Sequence, residues 1–241
     1  MISSDKAPIV ASVRPIGAFF CVSAGGAVVI AALIWLTGAV NAAALPLALG
    51  VYGGAIAITY RAFCNSYPHA SLGWCNGVTL FRLALVCTVV AWLFAPPAFA
   101  WAIVSVATVA FALDGLDGWL ARREGYVSAF GSRFDMEVDS VLALALAAHA
   151  YLGGDVTPAV ILLGLPRYAF FAAQLKWPWI AGDLPPRFSR KVVCVLQIAA
   201  LIVLLLPMVG ASLSNIIVAA TAATLIWSFW LDLRHLRGAR A

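Results

Sequence analysis

Eight mostly apolar stretches, each about long enough for a helix to cross a bilayer, account for most of this chain. They run over about 16–37, 42–60, 76–95, 98–120, 131–152, 157–175, 190–209 and 213–233. A spanning helix needs roughly 20 such residues. Inside hydrocarbon every backbone N–H and C=O must find an internal partner, which helices achieve within one segment. Pro and Gly punctuate most boundaries, as at Gly153-Gly154 and Leu184-Pro185-Pro186. The expected fold is all-α, a polytopic transmembrane helical bundle of eight spans. The connections are too short to hold a separate soluble domain.

Charge is scarce enough to support this. Hydrophobic residues make up 64% of the 241 positions and charged residues 10%. A water-soluble domain is nearer half apolar and a quarter charged. A soluble enzyme, a disordered chain and a nucleic-acid binder are therefore disfavoured, despite the net charge of +5. The five cysteines are scattered, with no CxxC pair. They suggest neither a disulfide framework nor a zinc site.

The 15 basic residues sort by connection. Lys6 and Arg14 precede the first span. Arg61 follows the second, and Arg82 lies early in the third. Arg122, Arg123 and Arg133 surround the fourth-to-fifth connection. Lys176, Arg187, Arg190 and Lys191 lie at the sixth-to-seventh, and Arg234, Arg237 and Arg240 form the tail. Only Arg167 falls deep within a span. Such one-sidedness is the positive-inside bias of an even number of helices with both termini cytoplasmic. The first span is longer than a usual signal core, so it is expected to be retained, not cleaved.

The acidic residues are sorted too. Asp114 and Asp117, three apart, share a helix face near the cytoplasmic end of the fourth span. Asp135 and Asp139, four apart, share one near the start of the fifth. A short turn is expected to make these helices antiparallel neighbours, so four carboxylates converge, while Glu137 points elsewhere. Asp139 lies about 12 Å along its helix from Gly131, at or just below head-group depth. An intramembrane carboxylate points to function. Four together need positive charge between them, and hard oxygen donors suit Mg²⁺ or Mn²⁺. Gly118, Ala121 and Gly131 allow close approach of a ligand, although small residues also serve helix packing. Arg122 adds a fixed cation suited to phosphate oxygens.

The pattern Asp-x2-Asp-Gly-x2-Ala-Arg-x8-Gly-x3-Asp-x3-Asp, from Asp114 to Asp139, resembles the signature of the CDP-alcohol phosphatidyltransferases. All eight fixed positions and the eight-residue spacer are present. The resemblance implies a six-helix core over 76–233, preceded by an extension (1–75) with two transmembrane helices and followed by a basic cytoplasmic tail (234–241). It implies metal binding by Asp114, Asp117, Asp135 and Asp139, with two ions. Asp139 would also act as general base on an alcohol. Gly118, Ala121, Arg122 and Gly131 would line the CDP pocket. The implied reaction is attack of a small polar alcohol on the β-phosphorus of a CDP-linked donor, with CMP leaving. CDP-diacylglycerol is the expected donor. A homodimer in the cell (inner) membrane is also implied.

Asn76, Thr79 and Arg82 resemble the element that opens the family's first core helix, with Cys75 where the family has Pro. They would face the nucleotide or its phosphates; capping and snorkelling explain them equally simply. Arg167 is expected to face the bundle and a carboxylate or phosphate. Arg187, Arg190 and Lys191 would suit an acceptor bearing phosphate, or would anchor the chain beside anionic lipid. Lys191 matches the Lys of a family Gly-Lys element, with Arg190 in place of the Gly.

Two other classes compete. An intramembrane prenyltransferase also binds Mg²⁺-diphosphate with Asp pairs, but on well-separated loops. A cation-coupled transporter would need polar residues or broken helices along a path across the membrane. Here the polarity is confined to one side, and spans one, two and eight look nearly featureless.

Overall fold

The computed structural model describes residues 13–39, 43–94, 96, 99–154, 156–182 and 187–238. Lys6, Arg240 and the Leu184-Pro185-Pro186 boundary lie outside them. The described residues form nine α-helices and two short 3-10 turns, with no strand. In chain order the helices are α1 (Val13–Leu36), α2 (Ala44–Ser66), α3 (Gly73–Ala91), α4 (Trp101–Glu124), α5 (Ala129–Leu152), α6 (Ile161–Gly164), α7 (Pro166–Lys176), α8 (Phe188–Leu204) and α9 (Ala211–Gly238).

Every expected span coincides with helix, but eight crossings are not established. Five helices (α1, α2, α3, α4 and α9) are long and apolar enough to cross a membrane. The count reaches six if Pro158–Gly164 and Pro166–Lys176 form one bent span. Helix α8 has only 17 residues. Helix α5 carries Arg133, Asp135, Glu137 and Asp139 in its first half. The sixth segment is not the straight helix expected. It bends by 67° between Gly164 and Pro166, where the proline ring removes a backbone donor and clashes with the preceding turn.

Helix α3 is the centre of the bundle. It packs against α1, α2, α4 and α5, and Leu80, Arg82, Ala84, Val86, Thr88 and Val89 are at most 1% exposed. Its composition permits this: most of its positions are apolar, and its polar Asn76, Thr79, Arg82 and Thr88 all find partners within the bundle. The two N-terminal helices are therefore not peripheral decoration. Both pack directly on α3, and Phe63 of α2 meets Phe130 of α5 with ring centroids 5.5 Å apart.

Two local sequences set the site's frame. Gly125 ends α4 at φ +73°, a left-handed conformation that glycine adopts without cost. Three residues later Ser128 caps α5, its side chain accepting from Gly131 N at 3.0 Å. The chain reverses in four residues (125–128). The two helices so joined do not pack extensively on each other, however. Both pack on α3, which corrects the expectation of α4 and α5 as direct neighbours.

Candidate active site

Asn76, Thr79 and Arg82 recur every three residues and so share one face of α3. This face is turned toward the ends of α4 and α5 that carry the paired aspartates. Arg82 is completely buried. Its Nε donates to the Ala110 carbonyl at 3.1 Å. Its Nη1 donates to Asp117 Oδ2 at 2.7 Å and to Asp135 Oδ1 at 2.5 Å. Its Nη2 donates to Asp139 and lies 3.1 Å from Asp114 Oδ1. A guanidinium has five N–H donors in a fixed fork, and this one reaches one carbonyl and all four carboxylates. Full burial of an arginine is costly unless it is paired; here it is paired on both sides.

The four aspartates thus converge as the spacing predicts, but around an arginine that the spacing alone did not place there. They also divide into two kinds. Asp114, Asp135 and Asp139 each offer a carboxylate oxygen within 4.8 Å of the others, and all three are partly exposed. Asp117 is buried, its Oδ2 within 2.9 Å of Thr79 Oγ1. The single Thr79 hydrogen serves either Asp117 or the Cys75 carbonyl at 3.0 Å. Asp117 is therefore enclosed against α3, while the other three, which also contact Arg82, keep part of their surface exposed.

The donor set fits a hard divalent cation. One guanidinium against four carboxylates leaves three formal negative charges on the cluster. Like charges this close cannot all persist without further positive charge. Carboxylate oxygens are the ligands that Mg²⁺ and Mn²⁺ prefer. Asp114, Asp135 and Asp139 are placed to hold such an ion.

The small-residue positions flank this cluster. Asn76 is buried, donating from Nδ2 to the Leu72 carbonyl at 2.7 Å and to Tyr67 Oη at 3.2 Å. Burial pushes the Tyr67 phenol above its ordinary range, which keeps it protonated. A side chain at Gly131 would crowd this corner: its Cβ would stand 3.2 Å from Ser128 Oγ and 3.5 Å from Asn76 Oδ1. Arg122 is exposed and folds back along α4, so that a Cβ at Gly118 would meet its Nη1 at 3.5 Å. Ala121, one residue earlier, is partly buried. Asn76, Thr79 and Arg82 are all engaged with protein groups.

A cavity of about 290 Å³ opens from Asp139 toward α8 and α9, and Arg167, Arg190 and Asp232 lie along it. Arg167, just past the Pro166 break, has Nη2 2.5 Å from Glu137 Oε1. This meets the expectation that Arg167 faces a carboxylate, although Arg167 is partly exposed and not deeply enclosed. Arg190 grips Asp232 with two donors, Nε to Oδ2 and Nη2 to Oδ1, both at 3.1 Å. Arg187 Nη1 adds a third contact to Oδ1 at 3.1 Å. Lys191 is exposed and does not line the cavity.

Asp232 was missed by sequence reasoning, which took the last span as nearly featureless. It is 5% exposed in the structure. The signal was present: it is the sole acidic residue between 213 and 233, and a lone carboxylate in an apolar span needs a buried partner.

A family model described as CDP-alcohol phosphatidyltransferase matches residues 73–227, more than half of the chain. The matched region begins at α3 and leaves out α1 and α2. No curated protein and no solved structure matches the chain at a significant level.

Proposed function

Because the chain belongs to the CDP-alcohol phosphatidyltransferase family, we propose that it makes a phospholipid by moving a phosphatidyl group from CDP-diacylglycerol to the hydroxyl of a small polar alcohol. The observation that carries this reading is the partly exposed trio of Asp114, Asp135 and Asp139 beside a cavity of about 290 Å³. Donor phosphates and acceptor hydroxyl can meet there.

The acceptor oxygen forms a bond to the β-phosphorus. The bond from that phosphorus to the oxygen bridging to the α-phosphate breaks, and CMP leaves with the electron pair. Asp139 takes the hydroxyl proton, a role open to it because it belongs to both the cluster and the cavity wall. Asp114, Asp135 and Asp139, with Asp117 beside them, would hold two divalent ions, Mg²⁺ or Mn²⁺, which would supply positive charge for the diphosphate and the leaving CMP. Arg82 orients all four carboxylates from behind. Gly118, Ala121, Arg122, Gly131 and Asn76 border the space assigned to the cytidine and its phosphates, and Thr79 fixes Asp117. Arg190 and Arg167 lie on the acceptor side.

The positive-inside pattern supports a site and both termini facing the cytoplasm; the membrane assigned is the cell (inner) membrane. The test is direct. Purified protein given CDP-diacylglycerol, Mg²⁺ and a panel of alcohols should release CMP and form the matching phospholipid. No CMP with any donor or acceptor would overturn the reading.

A further inference from the structure

We propose that Asp232 makes the cavity beside Asp139 selective for an alcohol acceptor that carries no net charge. This rests on the phosphotransferase reading above and replaces the phosphate-bearing acceptor that the basic cluster suggested in sequence. The cavity has four charged residues among its described lining: Asp139, Arg167, Arg190 and Asp232. Two are cations and two are anions, so the wall is formally neutral. Each of its cations already holds a carboxylate. Arg190 spends two donors on Asp232, at 3.1 Å each, and Arg187 contacts the same carboxylate. Arg167 is held by Glu137 at 2.5 Å. The polar neighbour Gln197 donates its amide to the Leu163 carbonyl at 2.5 Å.

A phosphate binding Arg190 through the donors it now gives Asp232 would displace that carboxylate. That would leave a 5%-exposed carboxylate with the single 3.1 Å contact from Arg187 among the described residues, and stripping a buried charge of most of its pairing is costly. The phosphate would also add negative charge beside Asp139 and the donor diphosphate. A polyol or a zwitterionic amino acid alcohol meets neither penalty. Its hydroxyls, or its separated ammonium and carboxylate, can bond to the edges of the existing Arg–Asp pair without breaking it.

The test ranks acceptors by kcat/KM for CMP release from CDP-diacylglycerol with Mg²⁺, using the full chain in detergent. Glycerol, inositol and serine represent zero net charge. Glycerol phosphate and inositol phosphate represent anions, and choline a cation. One of the net-neutral alcohols is expected to rank first. Asp232→Asn frees both arginines, so the ratio of phosphorylated to unphosphorylated acceptor should rise by about tenfold or more, while Asp232→Glu should keep the parent preference. A charged acceptor of either sign ranking first in the parent protein overturns the proposal while leaving the phosphotransferase reading intact. An unchanged ratio in Asp232→Asn removes Asp232 from the role. Absence of CMP with every acceptor removes the phosphotransferase reading itself. If Asp232→Asn does not fold, the parent ranking still decides.

Discussion

Arg82 Nη1 and Asp117 Oδ2 lie 2.7 Å apart, with the arginine completely buried and the aspartate 4% exposed. This pair ties α3 to α4 beneath the candidate metal site. Three further carboxylates share the same guanidinium, so its removal leaves four acids facing one another.

Arg82→Leu is expected to lose about 3 kcal/mol or more of stability, the scale for breaking a buried ion pair, and all turnover. Millimolar Mg²⁺ should raise the Tm of this variant more than that of the parent, because the metal replaces the missing positive charge. Arg82→Lys should fall between, since an ammonium cannot match the five-donor fork. Thermal unfolding in detergent, with and without Mg²⁺, checks both. Parent-like stability in Arg82→Leu would show that the pairing contributes nothing.

Chelation should abolish CMP release, and added Mg²⁺ or Mn²⁺ should restore it. Asp114→Asn keeps the shape of the side chain but removes one of the three carboxylates proposed to hold the metal. Its activity should return only at about tenfold higher Mg²⁺ or more, a loss of roughly 1.4 kcal/mol in metal affinity. A Mg²⁺ titration of activity measures the shift, and an unchanged midpoint would remove Asp114 from the metal site.

Asp139→Asn should abolish turnover while leaving CDP-lipid binding largely intact. The amide has no basicity for the acceptor proton, yet it can still accept the hydrogen bond from Arg82. Equilibrium binding of the CDP-lipid, set beside single-turnover CMP release, separates the two effects. Activity near the parent level would take Asp139 out of the role of base.

The carboxylate site was legible in sequence because its spacing obeys helix geometry: positions three and four apart share a face whatever the tertiary context. The order of helices around it was not. A four-residue reversal made α4 and α5 look like packing partners, yet both rest on α3, whose buried Arg82 bonds to Asp117 of α4 and to Asp135 of α5. The purpose of Arg82 was hidden for the same reason, since a basic residue near a helix end looks the same whether it snorkels outward or turns inward. The Arg190–Asp232 pair joins residues 42 apart on α8 and α9, and no local pattern encodes it. The bend after Gly164 was written in Pro166 but was read as an uninterrupted span.

Gly164 should be among the least tolerant glycines in the chain. A Cβ there would stand 2.8 Å from Leu144 Cα and 3.0 Å from Ala147 Cβ, so α6 could remain helical only by moving off α5. Backbone atoms cannot yield as a flexible side chain can. Gly164→Ala is therefore expected to cost about 1–3 kcal/mol as overpacking. It should also reduce activity, because the shift would displace the Leu163 carbonyl from Gln197 and the bend from Arg167. Gly53→Ala is the matched control: it lies within α2 with nothing inside 4 Å of the added carbon. There alanine should be neutral or stabilising by up to about 1 kcal/mol, the ordinary helix preference. Thermal unfolding of both variants in the same detergent gives the comparison. Equal stability of the two would mean that the approach of α6 to α5 is not as close as 2.8 Å requires.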